Sequence, residues 1–189
     1  MNVMRTGALL FDGASRKQAL VWLSQTYPEH SQSPLLYNTQ YEALGDIGPV
    51  LLDADEDSRL YLDWLNGSEE LQQAVWLKTS VCQNELYTSL RRRLRVRSPA
   101  GREYWLRLAD ARPLSRAWQA GATWPEGFWY GVSEVWLQYQ GCAHKAWDNP
   151  TPLFDCSTPV DGIAAQITLD WLLLAGLSHK DATAQEALL

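Results

Sequence analysis

The sequence lacks the features that secreted and membrane proteins need. It contains only three cysteines in 189 residues, at Cys82, Cys142 and Cys156. Three cysteines form no even disulfide framework, which favours reduced thiols in a cytoplasmic compartment. No apolar run approaches the ~20 residues of a membrane span, and residues 8–11 are too short a run for the core of a signal peptide. We therefore expect a cytoplasmic protein without a membrane segment.

Basic residues are fewer than acidic ones. The chain has 16 Lys and Arg residues against 22 Asp and Glu residues, a formal net charge of −6 and a sequence pI of about 5.0. Non-specific binding to nucleic acid needs a net basic face, so no nucleic-acid partner is expected. Clustered arginines could still bind nucleic acid or an acidic partner, but the acidic balance favours arginines that complement a helix C-terminus and form a solvated strand face. The cluster consists of Arg91, Arg92, Arg93, Arg95 and Arg97.

Signatures of catalysis are missing too. The chain has no Gly-x-Ser-x-Gly elbow, no phosphate-cradling glycine motif, and only three histidines, at His30, His144 and His179. A nucleophilic hydrolase needs a histidine positioned beside an activated Ser or Cys, and no pair of that kind is recognisable. We therefore expect no catalytic residues, no cofactor and no enzymatic activity.

Two weak metal-site patterns are present, and neither is favoured. Residues 53–58 are rich in aspartate, but a calcium loop needs Gly at its sixth position and Glu at its twelfth, where this chain has Ser58 and Trp64. The alternative is that Asp57 or Ser58 caps the next helix. Structural zinc needs two tight ligand pairs, and only one exists here, so no metal is expected. The zinc set would consist of Cys142, His144, Asp148 and Cys156.

Tryptophan, by contrast, is abundant. Ten tryptophans occur in the chain, and because this side chain is frequent at interfaces as well as in cores, they favour a protein-binding surface. A loop over residues 121–131 is dense in aromatic rings and is our candidate for partner contact. The alternative is that these rings fill the core beneath the loop. The four rings are Trp124, Phe128, Trp129 and Tyr130.

Hydrophobic periodicity predicts short strands that alternate with helices of about ten residues. Strands are expected at residues 8–11, 35–37, 50–52, 74–77 and 132–139, with residues 142–147 as a possible further strand, and a hairpin is expected at residues 94–108 around a turn at 98–101. Helices are expected at residues 16–26, 59–66, 83–92, 114–120 and 159–175. Ser15 and Thr158 are the expected caps of the first and last helix.

This succession of elements predicts an α/β fold with a mixed-direction sheet flanked by helices and a small helical C-terminal appendage. Residues 1–140 would form the main domain. Residues 141–189 would be a short extension with one amphipathic helix.

Several short motifs occur in a characteristic order. In order and spacing they resemble the family of adaptor chaperones that load toxic effectors onto the VgrG spike of bacterial type VI secretion systems. Members of that domain-of-unknown-function family typically carry a Gly-Pro-Tyr-Leu-like strand and an Asp-Pro-Arg signature, which reads Asp110-Ala111-Arg112 here. The resemblance spans roughly residues 7 to 140, and its motifs are ALLFDGA at 8–14, GPVLL at 48–52, DWL at 63–65, LRRRL at 90–94, VRSPAGR at 96–102 and WLRLADARPL at 105–114.

The resemblance implies a non-enzymatic adaptor that binds a cognate effector in the cytoplasm and delivers it to the VgrG spike. Gly48, Pro49, Asp110 and Arg112 would be the family-motif residues. Asp110 and Arg112 would either form an internal ion pair that fixes the turn after the strand, which we favour, or contact the partner. A cytoplasmic immunity protein that inhibits a toxin and an unrecognised hydrolase are the alternatives.

Overall fold

The computed structural model describes residues 6–160 and 163–178, which build two β-sheets. The main sheet has the strand order β2-β3-β1-β4-β7-β8, and each neighbouring pair in it is antiparallel. Its strands are β1 (Gly7–Asp12), β2 (Gln32–Pro34), β3 (Pro49–Ala54), β4 (Val75–Thr79), β7 (Val132–Tyr139) and β8 (Cys142–Asp148).

The second sheet has three strands and mixes directions. Its strands are β5 (Arg95–Arg97), β6 (Glu103–Trp105) and β9 (Ile167–Thr168). The central strand β5 pairs with β6 in antiparallel and with β9 in parallel orientation. The hairpin between β5 and β6 closes through the predicted turn, where the Gly101 amide donates to the Ser98 carbonyl at 2.9 Å. The predicted α/β class is thus confirmed.

Five α-helices in the described part of the chain accompany the sheets. They are α1 (Ala19–Thr26), α2 (Arg59–Leu65), α3 (Gln83–Arg91), α4 (Ala111–Gln119) and α5 (Trp171–Ser178). Within the described residues, no helix has both the length and the apolar character needed to span a bilayer.

The main sheet separates two apolar cores because alternate side chains of a strand face opposite sides. Along β1, Ala8 and Leu10 belong to the larger core, whereas Leu9 and Phe11 belong to the smaller one. The larger core packs against α3, α4, α5 and the second sheet, and the smaller core packs against α1 and α2. The sheet is therefore flanked by helices on both faces, as predicted.

The starts of two helices show what a capping pattern can and cannot predict. Ser58 caps α2, because its hydroxyl accepts a hydrogen bond from the Tyr61 amide at 3.2 Å, which confirms that prediction. The predicted Ser15 cap is wrong, since the Ser15 hydroxyl donates to the Asp12 carbonyl instead. Helix α1 begins only at Ala19, after Gln18 in a left-handed conformation.

The predicted helix over residues 159–175 is wrong for residues 159–160 and 163–170, which are not helical; residues 161–162 lie outside the described residues. No helix begins directly after Thr158 in the described part of this segment, and the Thr158 amide donates to the Gln166 side chain at 2.8 Å. Burial alternates from Ile163 to Leu169, which is the two-residue period of an extended segment, and β9 lies within it. The helix begins at Trp171, where the Asp170 carboxylate accepts from the Leu173 amide. The division at residue 140 stays a prediction.

Two further strands differ from their predicted bounds. The strand expected at 35–37 forms three residues earlier as β2, because Gln32–Pro34 supply the pairing to β3. The returning strand of the hairpin ends at Trp105 rather than at residue 108, although the Leu106 amide still donates to the Leu94 carbonyl.

Replacing Gly176 with valine should displace α5 from α4. A Cβ at this position would lie 2.6 Å from Cα and 3.0 Å from Cβ of Ala117, closer than packed atoms allow. We expect the free energy of unfolding to fall by about 1–3 kcal/mol, the usual cost of overpacking a buried contact. Urea denaturation would measure this loss. An unchanged midpoint would show that α5 can shift away from α4 without a loss of stability.

Candidate functional site

The motif residues Gly48 and Pro49 lie beside the end of β1. Pro49 pairs with Asp12 in the sheet register, and the Gly13 amide donates to the Gly48 carbonyl at 3.0 Å. A Cβ on Gly48 would lie 2.7 Å from the Leu36 side chain, so only glycine fits here without a shift. The Gly-Pro motif thus seats β3 against the end of β1.

The motif residues Asp110 and Arg112 form an ion pair at the start of α4. Asp110 is only 1% exposed. Its Oδ1 caps the helix by accepting from the Arg112 amide at 3.0 Å. Its two oxygens also accept from Nε and Nη2 of Arg112, each at 2.9 Å. The same carboxylate therefore caps α4 and binds the Arg112 guanidinium.

Arg107 connects this pair to the Gly-Pro motif. Its Nη2 lies 3.2 Å from the Asp110 carboxylate and also donates to the Asp12 carboxylate. The sequence motifs, which are far apart in the chain, therefore meet in one place, which we call the motif cluster. The motif cluster consists of Asp12, Gly48, Pro49, Arg107, Asp110 and Arg112.

Replacing Ala111 with proline, to give the Asp-Pro-Arg order of the resembling family, should not stabilise this chain. The first helical position favours proline, and a fixed φ would bring about 0.4–1 kcal/mol through the unfolded state. However, the Ala111 amide donates to the Gln73 carbonyl at 2.8 Å, a hydrogen bond of about 0.5–1.5 kcal/mol that proline cannot make. Urea denaturation should show no gain; a stabilisation above 1 kcal/mol would contradict this account.

A groove of about 630 Å³ adjoins the motif cluster. We call it the α5 groove; it lies between β6, α4 and α5. It is lined by apolar and aromatic residues that include Trp105, Trp171, Leu174 and Leu177, and by three arginines, Arg107, Arg112 and Arg116. The sequence gives no sign of this groove, because its pattern predicts α5 as part of a longer helix without a defined partner.

The aromatic loop is packed largely into the core. Phe128 and Trp129 are buried, whereas Trp124 and Tyr130 are half-buried. The Trp124 ring stacks on Phe128 at 4.4 Å between centroids and meets Trp147 edge-on at 5.6 Å. Of the four predicted contact residues, only Trp124 and Tyr130 therefore present part of their surface to solvent.

The aromatic loop is held by a buried arginine that the sequence did not single out for this role. Arg93 is fully buried and donates to the backbone carbonyls of Gly127 and Phe128. Its Nη2 also lies 2.7 Å from Oδ1 of Asp155, whose Oδ2 pairs with Arg92 at the same distance. Burial lowers the pKa of Arg93, and Asp155 opposes that effect.

The expectation that these arginines serve a helix dipole or a solvated face is therefore wrong for Arg92 and Arg93. Both are buried and tie α3 to the connector at Asp155. The later two, Arg95 and Arg97, pair with Glu103 across the hairpin. These four arginines thus have carboxylate partners within the chain, which leaves little basic surface here.

The residues of the weak metal and hydrolase patterns have other contacts. His144 lies against the rings of Trp118 and Tyr139, and the buried His30 bonds to the Asp53 carbonyl. His179 lies outside the described residues. In the described ranges, no three His, Cys, Asp or Glu side chains gather where they could hold a metal ion. The Asp53 and Asp55 carboxylates accept from the Ser31 and Thr6 amides.

A comparison with protein families gives one match. The model of a family described as "Domain of unknown function (DUF4123)" matches residues 9–124. The match contains the whole motif cluster and ends at the first ring of the aromatic loop. No curated protein and no solved structure matches the chain.

Proposed function

The chain belongs to the DUF4123 family, and from this premise we propose that it is a non-enzymatic adaptor of a bacterial type VI secretion system. In this proposal it binds a cognate toxic effector in the cytoplasm and loads it onto the VgrG spike. The order of the motifs that resemble the effector-loading adaptors supports the proposal.

The observation that carries the proposal is the α5 groove. It is open and largely apolar, and it lies directly beside the residues that carry the family resemblance. Exposed apolar surface rimmed by polar groups is common at protein-binding sites. The carboxylates of the motif cluster, Asp12 and Asp110, form ion pairs and helix caps within the chain. These contacts stabilise the fold beside the groove.

The test is an affinity purification of the tagged full chain from a secretion-competent bacterium. We expect one effector and the VgrG protein to be recovered together, and the effector to keep its toxic activity when it is bound. A strain without VgrG serves as the control, in which the effector should still be recovered. Recovery of neither protein would contradict the adaptor function.

The same purification separates the alternatives. An immunity protein would abolish the activity of the toxin and would bind it without VgrG. A hydrolase would show turnover on ester, amide or glycosidic substrates, and the adaptor proposal predicts none.

A further inference from the structure

We propose that the α5 groove is the docking site for an apolar segment of the effector that carries carboxylates, and that Arg116 pairs with one of those carboxylates. The inference rests on the proposed adaptor function and adds to it the surface and the chemistry of the bound segment. Two independent observations support it, one on the apolar lining of the groove and one on its arginines.

The first observation is the uncovered apolar surface of α5. The helix sequence WLLLAGLS has no charged residue, yet Leu173 is its only residue that is fully buried. Trp171 and Trp105, which both line the groove, are 56% and 49% exposed. Large apolar side chains left in water on adjoining elements mark a surface that a partner covers.

The second observation is an imbalance of charge among the arginines that line the groove. Arg107 and Arg112 pair with carboxylates of the motif cluster. For Arg116, the described residues offer no carboxylate, and its Nε is buried without a hydrogen-bond acceptor. A buried donor without an acceptor is costly. Arg116 is half-buried and lines the groove, so a partner carboxylate would pair with the accessible part of its guanidinium through a charge-assisted bond. The basic lining stands out in a chain with a net charge of −6.

The combination of apolar and basic lining selects the kind of occupant. Apolar side chains of the segment would cover α5 and Trp105, while an aspartate or glutamate beside them would reach Arg116. A small polar metabolite would leave the apolar lining uncovered. A second copy of this chain would bring together two molecules that each carry six net negative charges, which mutual repulsion disfavours.

Photo-cross-linking in a secretion-competent bacterium tests where the segment lies. The full chain carries p-benzoylphenylalanine in place of Trp105, at the groove, or in place of Leu62, which is exposed on α2 beyond the other face of the sheet. We expect adducts from position 105 only, with an effector segment that contains apolar residues and Asp or Glu. No adduct, or an adduct with a segment free of acidic residues, with residues 179–189 of the same chain or with a second copy, overturns the proposal.

Binding of the recovered effector to purified variants tests the role of Arg116. Arg116→Glu should weaken binding at least tenfold, while Arg116→Lys retains part of it. Arg59→Glu, on the exposed face of α2, is the matched control and should bind as the unaltered chain does. Trp171→Ala removes an exposed ring and should weaken binding several-fold, so it decides the matter if Arg116→Glu fails to fold.

The outcomes separate this inference from the adaptor function. If the effector is recovered and both Arg116→Glu and Trp171→Ala bind it as tightly as the unaltered chain, the docking site is wrong and the adaptor function stands. If the unaltered chain recovers no effector, the adaptor function is wrong, and the docking site with it.

Discussion

Replacing Asp155 with alanine is expected to lower the free energy of unfolding by about 3–5 kcal/mol, the usual result of removing one partner of a buried ion pair. Arg93 has no exposed surface, and its only carboxylate partner among the described residues is Asp155. Without Asp155 the guanidinium keeps its bonds to backbone carbonyls, but its charge stays in the core without a counter-charge. The aromatic loop that Arg93 holds should loosen with it.

The matched control is Asp148→Ala. Asp148 also pairs with a cation, Lys145 at 2.8 Å, but these side chains are 66% and 38% exposed. Exposed pairs of this kind contribute about 0–1 kcal/mol. Urea denaturation of both variants should therefore separate them by at least 2 kcal/mol. Equal losses would mean that Arg93 reaches water when Asp155 is absent.

The same carboxylate should make stability fall in acid. Burial alone would raise the pKa of Asp155, but hydrogen bonds from Ser157 and the charge of Arg93 lower it from 3.8 to about 2. A folded-state pKa below the unfolded value gives stability that is complete above about pH 4 and is lost as the pH falls towards 2. Asp155→Asn cannot titrate, so its stability should change less across this range than that of the unaltered chain.

The elements that the sequence predicted well are those whose apolar pattern fits a single period or whose capping residue lies close to the amide it binds. Residues 132–139 alternate along the strand and form β7, and Ser58 caps α2 three residues before the amide it binds. The segment from Ile163 to Leu169 was misassigned because apolar residues four apart satisfy a helical period as well as an extended one. Its pairing with β5, 71 positions earlier in the chain, makes it extended.

The candidate site was predictable only in part, for the same reason. The opposite charges of Asp110 and Arg112 were visible in the sequence because the two residues are two positions apart. The ion pair between Arg107 and Asp12 was not visible in the sequence, since the two residues are 95 positions apart. Arg116 carries no sequence signal at all, because its lack of a carboxylate partner among the described residues is visible only in the fold. Burial and long-range pairing are properties of the fold, and no local pattern encodes them.

Replacing Asp110 with alanine is the second change with a large expected effect, a loss of about 2–3 kcal/mol in the free energy of unfolding. Loss of a helix cap costs about 1 kcal/mol, and hydrogen bonds to a charged group contribute about 1.5–3 kcal/mol. The full sum is not expected, because the side chains of Arg107 and Arg112 are each 55% exposed and water can solvate them. Asp110→Asn keeps the cap acceptor and loses the charge, so it should cost about 1 kcal/mol.

A second cap in the same chain provides the matched control. Ser58 caps α2 through a single side-chain hydrogen bond, which its hydroxyl oxygen accepts from the Tyr61 amide at 3.2 Å. Ser58→Ala therefore measures a cap without an ion pair, and it should lower the free energy of unfolding by about 1 kcal/mol. The excess loss in Asp110→Ala over Ser58→Ala is then the contribution of the two arginines. If urea denaturation finds no excess, the arginine pairs of the motif cluster contribute nothing net to stability. The charges of the signature would then need another reason to be there, and contact with the effector would be the first to test.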